Sequence, residues 1–222
     1  GGMTFWIALG LQDVKASSAR PSLLQLKAFF LRPHVLIFFL AVLIVAIPHK
    51  MNDTYIGLYM EQLGGDVRLT GMSWFVMTLT ETAMFALSSR LIRPGREASW
   101  MTAAAALYAI RFGLSSIVGH PYGLVALQVF QGATFVVFYV SAMQYLYRIV
   151  PEEWKATGQT ALTATFFGVS GIVGSTAGGW LIEEFGGAFL YRGMALFAVL
   201  GVFFGVYLRV CEKRGSAEFP RV

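Results

Sequence analysis

The sequence predicts an all-α integral membrane protein, a bundle of six transmembrane helices. Of its 222 residues, 56% are apolar and 13% are charged, and the mean hydropathy is +0.63, above the usual range of soluble domains. Six apolar stretches are each long enough to cross ~30 Å of hydrocarbon, which takes about twenty helical residues. The connectors between them, such as IRPGREAS and VPEEWK, are too short to hold a soluble domain, so one helical bundle in lipid accounts for the core.

The order of these stretches predicts the domain organisation. We number them spans one to six, at about residues 33–60, 70–91, 98–118, 121–149, 156–182 and 188–209. Together they make a six-helix unit over residues 33–209, followed by a tail at residues 210–222. Residues 1–11 contain a short apolar run that we interpret as the end of a preceding transmembrane helix, with an interfacial anchor as the alternative.

Residues 12–32 are predicted to be a linker that includes an amphipathic helix on the membrane surface. Leu23, Leu26 and Phe30 fall on one helical face, and Lys27 and Arg32 are placed to reach lipid headgroups. An apolar face with basic flanks is typical of a helix that lies in the plane of the membrane interface. We therefore expect this linker to contact the bilayer without crossing it.

The basic residues predict the orientation of the chain in a cell membrane, such as the inner membrane of a bacterium. Of the 17 lysine and arginine residues, most lie before span one, between spans two and three, between spans four and five, and after span six. Basic residues favour the cytoplasmic side, so both ends of the six-helix unit are predicted to be cytoplasmic. The net charge of +5 reflects this bias and indicates no nucleic-acid binding. The lone cysteine, Cys211, excludes an internal disulfide.

Two charged residues are predicted to lie deep in the membrane. Glu81 is about 15 Å from the cytoplasmic end of span two, and Arg111 is roughly 20 Å up span three, at ~1.5 Å per residue. A buried charge costs about 2.5 to 3.5 kcal/mol on insertion scales, so each needs a partner or a function. The two could pair directly, or they could face a water-filled cavity where a substrate or a proton completes the pair. A buried ion pair that only fixes packing is the alternative.

The end of span one carries a polar cluster in IPHKMNDTY. Pro48 interrupts the helical hydrogen bonds, and the apolar pattern continues beyond it, which favours a kinked helix with a polar elbow over an ordinary wetted helix end. His49 and Asp53 are four residues apart, with Asn52 beside Asp53, so one face could offer titratable groups to a central cavity. Lys50 is expected to point elsewhere and reach the membrane surface.

Spans four and five add a polar pair and a row of small residues. Gln128 and Gln131 lie near the outer half of span four, where they could line the cavity or simply bind helices together. In span five, Ser170, Gly174 and Gly178 recur every four residues. This spacing is typical of helices that approach closely, so we assign these residues to helix packing.

Catalysis is not indicated, and neither a cofactor nor a metal is predicted. The segment GVSG at residues 168–171 matches the nucleophile signature of rhomboid proteases, but these enzymes need a histidine base from a later span. All three histidines precede Ser170. No paired metal-ligand spacing and no phosphate-binding glycine loop occurs.

Several segments together resemble the carboxy-terminal half of a major facilitator superfamily transporter, closest to the branch of proton-linked phenylpropionate and lactose permeases. The likeness covers about residues 21–210 and rests on LYMEQLGGDVRLTGMSWFV before TETAMF, on SSRLIRPGRE, on YAIRFG, on LQVFQGATFVVFYVSAMQYL, and on PEEWKATGQTALTATFFGVSGIVGSTAGGWLIEEFG. By this resemblance, Glu81 matches the membrane glutamate of the family's eighth helix and Arg111 the arginine of the ninth. Gln128 and Gln131 match the polar pair of the tenth helix.

The resemblance implies a secondary transporter that moves a small organic solute by alternating access, with protons as the coupling ion. Two six-helix halves rock around a central site, and each half consists of two inverted three-helix repeats. The missing amino-terminal half, or a second copy of this chain, is then an expected partner. Because Gln128 and Gln131 do not titrate, Glu81 or Asp53 is the expected proton carrier. The rival interpretation is a membrane scaffold or sensor with the same bundle, and the substrate stays open.

Overall fold

The computed structural model describes residues 28–218, with side chains through residue 211. Most of the predicted membrane-surface linker and all of residues 1–11 lie outside this range. The described part is helical apart from short connecting turns and contains no strand, which confirms the predicted all-α bundle. Its helices are α1 (Pro33–Gln62), α2 (Val67–Leu91), α3 (Glu97–Ser115), α4 (Pro121–Leu127), α5 (Gln131–Ile149), α6 (Lys155–Thr163) and α7 (Ser170–Glu218).

The first three spans are single helices whose ends have local causes. Pro33 occupies the first turn of α1, where the missing N–H costs nothing. Asp66 caps α2 by accepting a 2.9 Å hydrogen bond from the backbone N–H of Leu69. Although Pro48 lies inside α1, the helix continues to Gln62, so His49 and Asp53 are not at a wetted helix end.

Spans four and five each contain a short segment with a different helical winding, about two turns after the span begins. In span four, a 3₁₀ turn at Gln128–Phe130 joins α4 to α5. In span five, a π-helical segment at Ala164–Val169 joins α6 to α7. Such irregular turns are frequent at functional sites because they redirect side chains out of the regular helical register.

Span five passes directly into span six within α7. The break between them is at Gly186, whose backbone has φ of +80°, a conformation that glycine adopts without the strain of a side chain. The break falls between the predicted spans at residues 156–182 and 188–209. The helix also extends beyond residue 209 into the predicted tail, as far as Glu218.

Three stretches of the described residues are long and apolar enough to cross a membrane by length and composition. They are Pro33–Gln62, Pro121–Ile149 and Glu152–Cys211, and the last one holds both span five and span six. The helices α2 and α3 are less apolar, and they contribute Glu81 and Arg111 to the interior. Since α1 and α3 pack along α7, and α5 packs against α2 and α3, the polar residues of α2 and α3 meet those of α1 and α5.

Candidate functional site

A cavity of about 130 Å³ lies between α1, α2, α5 and the π-helical segment. Its polar lining consists of His49 and Asp53 from α1, Thr78 and Glu81 from α2, and Gln131 from α5. The remaining lining residues are Trp74, Met77, Phe135 and Phe167. A pocket with a few convergent polar groups on an apolar wall is the usual form of a small-molecule site.

One glycine sets the distance between the two helices that carry Glu81 and Gln131. A Cβ atom at Gly132 would lie 2.2 Å from the carbonyl oxygen of Thr80, so the backbones of α2 and α5 touch at this point. The backbone N–H of Gly132 also donates to the Thr80 hydroxyl at 3.3 Å. This close approach places Glu81 beside Gln131.

The side chain of Gln131 contacts polar residues from two other helices. Its Oε1 accepts a hydrogen bond from Nη1 of Arg111 on α3, and its Nε2 lies 3.5 Å from Nδ1 of His49 on α1. The side chain of Glu81 on α2 lines the same cavity as Gln131. Glu81 and Arg111 form no ion pair within 4.0 Å, so the structure places an amide where the sequence left a direct pair open.

Arg111 is buried behind the cavity, and its side chain is not part of the lining. Only 1% of its surface is exposed, and its guanidinium lies over the rings of Tyr108 and Phe112, at 5.3 and 4.7 Å from their centroids. Its Nε and Nη2 atoms are buried and have no hydrogen-bond partner among the described residues. A solute in the cavity would therefore meet Gln131 before it met Arg111.

The polar cluster of α1 is held by contacts on both edges of the His49 ring. Nδ1 of His49 lies 3.0 Å from the hydroxyl of Tyr108, and Nε2 lies 3.5 Å from Oδ2 of Asp53. The ring stacks on Phe135 with the centroids 4.7 Å apart. The expectation for Lys50 was wrong, because its ammonium bonds Asp53 at 3.0 Å; the i, i+3 spacing brings the two together at lower cost than a reach to the membrane surface.

Two predicted site residues are buried beside the cavity and bind other protein groups. Asn52 accepts a 2.9 Å hydrogen bond from the hydroxyl of Tyr191 and contacts the sulfur of Met77. Gln128 donates to the carbonyl oxygen of Leu124 at 3.1 Å, one turn earlier in its own span. Neither residue lines the cavity, so their contacts are those of helix packing.

The small residues of span five, for which the sequence predicts a packing role, include two glycines that lie against α1. A Cβ atom at Gly174 would lie 3.2 Å from the carbonyl oxygen of Ile47, and one at Gly178 would lie 2.5 Å from the ring of Tyr55. Ser170 is fully buried, and its hydroxyl donates to the carbonyl oxygen of Phe166. This face of α7 therefore fits directly against α1.

Sequence reasoning missed the aromatic part of the cavity. Trp74, Thr78 and Glu81 are spaced four and three residues apart, which places them on one face of α2 and was a usable signal. Phe135 follows Gln131 by four residues in the same way. Phe167 gave no such signal, because the π-helical segment that aims it at the cavity breaks the regular periodicity.

No metal site was found among the described residues, where no group of three or more histidine, cysteine, aspartate or glutamate side chains could hold an ion. The polar side chains around the cavity bond to one another. The arrangement can bind a small polar molecule and can exchange protons at its carboxylates.

Comparison with known proteins identifies relatives over most of the chain. The model of the MFS_1 like family matches residues 9–193. A maltose permease of Geobacillus stearothermophilus is 26% identical over 213 residues, which are 95% of this chain and 50% of the permease. An uncharacterized transporter of Bacillus subtilis (strain 168), YwbF, is 21% identical over 178 residues, 80% of this chain and 45% of that protein. The chain thus spans about half the length of the curated relatives it matches.

Proposed function

The chain belongs to the MFS_1 like family, and on that premise we propose that it forms the carboxy-terminal half of a proton-coupled secondary transporter. In this proposal both ends of the six-helix unit are cytoplasmic, and the cavity between α1, α2 and α5 is part of the path of a small organic solute. We also propose that this transporter is most similar to the proton-linked phenylpropionate and lactose permeases.

The observation that carries this proposal is the placement of two carboxylates in one cavity inside a membrane bundle. Asp53 and Glu81 come from different helices and share the lining with His49 and Gln131. Intramembrane ionisable groups are expensive and are found mainly on substrate and ion pathways. A scaffold protein would have no use for an exchangeable acid at this depth.

Glu81 is the proposed proton carrier because it is the carboxylate without a cationic partner. Asp53 is bonded to Lys50 at 3.0 Å, so a change of its protonation would break this salt bridge. Glu81 is half-buried, and among the described residues no lysine or arginine lies within ion-pair distance of it. It can therefore take up and release a proton without breaking a salt bridge.

The solute path needs more surface than this bundle provides. A cavity of about 130 Å³ is smaller than the roughly 300–1,000 Å³ of typical small-molecule pockets. The open side of the cavity adjoins α2, where exposed Thr78 and Thr82 flank the half-buried Glu81. We propose that another six-helix unit, either an amino-terminal half or a second copy of this chain, faces α2 and completes the site.

The proposed solute is neutral and polar. The formal charges of Lys50, Asp53, Glu81 and Arg111 sum to zero when Glu81 is ionised, so in that state no surplus charge is left to balance an ionic solute. Phe135, Phe167 and Trp74 offer flat apolar surface beside the hydrogen-bonding groups. Maltose is the first solute to test, because a maltose permease is among the relatives.

Alternating access can be tested without knowing the solute. In a Cys211→Ser background, a cysteine introduced at Thr78 should react with a membrane-impermeant maleimide from either side of the membrane. A cysteine at Leu36, an exposed apolar position on α1, serves as the control and should stay unlabelled because it faces lipid. If Thr78→Cys is labelled from one side only, or from neither, the transport proposal fails.

Proton coupling is tested by uptake of labelled maltose into proteoliposomes of the full chain under an inward proton gradient. Glu81→Gln should abolish the stimulation by the gradient, whereas Glu184→Gln, at an exposed position of α7, should leave it unchanged. Uptake that ignores the gradient in the parent chain, or that keeps its response in Glu81→Gln, would remove Glu81 from the role of proton carrier.

A further inference from the structure

The hydrogen bonds around Gln131 have a direction that is set by Arg111. A guanidinium has five N–H donors and no acceptor, so only the carbonyl oxygen of the Gln131 amide can face it. Nη1 of Arg111 bonds Oε1 of Gln131 accordingly. The other half of the amide, the NH₂ group, must then point away from Arg111, toward the cavity that Gln131 lines.

The NH₂ group of Gln131 in turn constrains His49. Nε2 of Gln131 lies 3.5 Å from Nδ1 of His49, and the hydroxyl of Tyr108 lies 3.0 Å from the same ring nitrogen. An amide nitrogen can only donate, so the Gln131 contact, although the longer of the two, favours an acceptor at Nδ1, and the Tyr108 hydroxyl can donate to the same atom. In that tautomer Nε2 of His49 carries the proton, and it faces the Asp53 carboxylate at 3.5 Å, where the positive end of an N–H dipole is favoured.

The remaining neighbours of the ring agree with this tautomer. Lys50 on α1 directs its ammonium to Asp53 and not to the imidazole. Phe135 from α5 and Phe166 from the π-helical segment cover the ring faces with centroids 4.7 and 5.3 Å away, and they have no hydrogen-bonding atoms. The chain of polarised bonds thus runs from Arg111 through Gln131 to His49 and on to Asp53.

We propose that Arg111 is a positioning residue. It holds the side-chain carbonyl of Gln131 toward its own guanidinium and so turns the NH₂ group of Gln131 toward the cavity. This orientation of the amide holds His49 in its Nε2–H tautomer. Arg111 itself does not touch the solute. The cavity wall at Gln131 is a donor surface, which selects a solute that offers an oxygen acceptor there. This last point, unlike the tautomer, rests on the proposed transport function.

The tautomer can be measured directly by nitrogen NMR on the full chain labelled with ¹⁵N-histidine, in lipid nanodiscs near neutral pH. The chain has three histidines, and the His49→Asn variant assigns the signals of His49 by their loss. We expect Nδ1 of His49 to resonate in the unprotonated range and Nε2 in the protonated range. A signal from the Nδ1–H tautomer in the parent chain would overturn the proposal.

Two substitutions test whether Arg111 and Gln131 set the tautomer. Gln131→Glu replaces the amide with an acceptor that draws a proton onto Nδ1, and Arg111→Met frees the amide to rotate; both should shift the His49 signals toward the Nδ1–H form. Arg111→Lys, which also can only donate, should keep the parent pattern, as should Gln159→Glu at an exposed site on α6. The proposal is wrong if both test variants match the parent chain.

The same residues give an independent kinetic readout in the uptake assay. Arg111→Met and Gln131→Met should each raise the apparent KM about tenfold, and the double variant should raise it no further, because Arg111 acts through Gln131. An additive rise of about a hundredfold would contradict a positioning role. If either variant fails to fold, the folded one compared with Arg111→Lys still decides the tautomer. A failure of transport leaves the NMR result standing, so the two proposals fail separately.

Discussion

Among the described residues, an arginine and a glutamate lie in one neighbourhood at two places that can be compared, and they are in direct contact at only one of them. Arg148 in the last turn of α5 contacts Glu97 in the first turn of α3 directly, at 3.1 Å. Arg111 and Glu81, farther from the helix ends, form no ion pair: Arg111 bonds the amide of Gln131, and Glu81 lines the cavity beside that amide. A direct ion pair holds both charges in place, whereas an intervening amide leaves the carboxylate able to change its protonation. The contact at the helix ends fits a structural role, and the separated one fits a functional role.

The largest effect should come from removing the close approach that places Glu81 beside Gln131. In Gly132→Val the new side chain would collide with the backbone of Thr80, which cannot move aside as a flexible side chain can. We expect a loss of about 3 kcal/mol in the free energy of unfolding in detergent, at the upper end of the usual range for overpacking. Thermal or denaturant unfolding of the purified chain measures it.

The matched control for this substitution is Gly171→Val in α7. A Cβ atom at Gly171 has no neighbour within 4 Å, so the same change of side chain meets open space. An equal loss of stability in both variants would mean that the approach of α2 to α5 is not the reason for Gly132.

An intermediate effect is expected at the direct pair. A double-mutant cycle with Glu97→Gln and Arg148→Gln isolates the interaction between these two side chains from their other contacts. Because the Arg148 side chain is 38% exposed, water screens the pair, and we expect a coupling energy of about 1 kcal/mol. Unfolding free energies of the four chains give this value. A coupling near zero would mean that the contact of Arg148 with Glu97 does not stabilise the fold, and the contrast with Glu81 would be lost.

The smallest effect on stability should follow Glu81→Gln. Glutamine keeps the size of the side chain, and no salt bridge is lost. We expect the unfolding free energy to change by no more than about 0.5 kcal/mol, as for substitutions away from stabilising contacts. If Glu81→Gln lowers stability as much as Glu97→Gln does, Glu81 is a structural acid and the comparison loses its meaning.

The sequence was sufficient for the helices and for the neighbourhood of the charges, because hydropathy and helical rise are local properties. Depths of about 15 and 20 Å correctly brought Glu81 and Arg111 into one region. The sequence could not show that Gln131 lies between them, since this depends on the contact of Gly132 with Thr80 across two helices. Periodicity also could not place Phe167, because the π-helical winding around it has no recognisable pattern.

The position of Arg111 behind Gln131 has a consequence for how fast a bound molecule can leave. A solute held by a guanidinium at mid-membrane depth must separate from a fixed charge before it departs, in surroundings where water cannot compensate the loss. A solute held by the amide gives up a neutral hydrogen bond, which is about half as strong as a charge-assisted one. In the proposed transporter, the interior would thus keep a positive charge without adding a charged contact to the barrier for release.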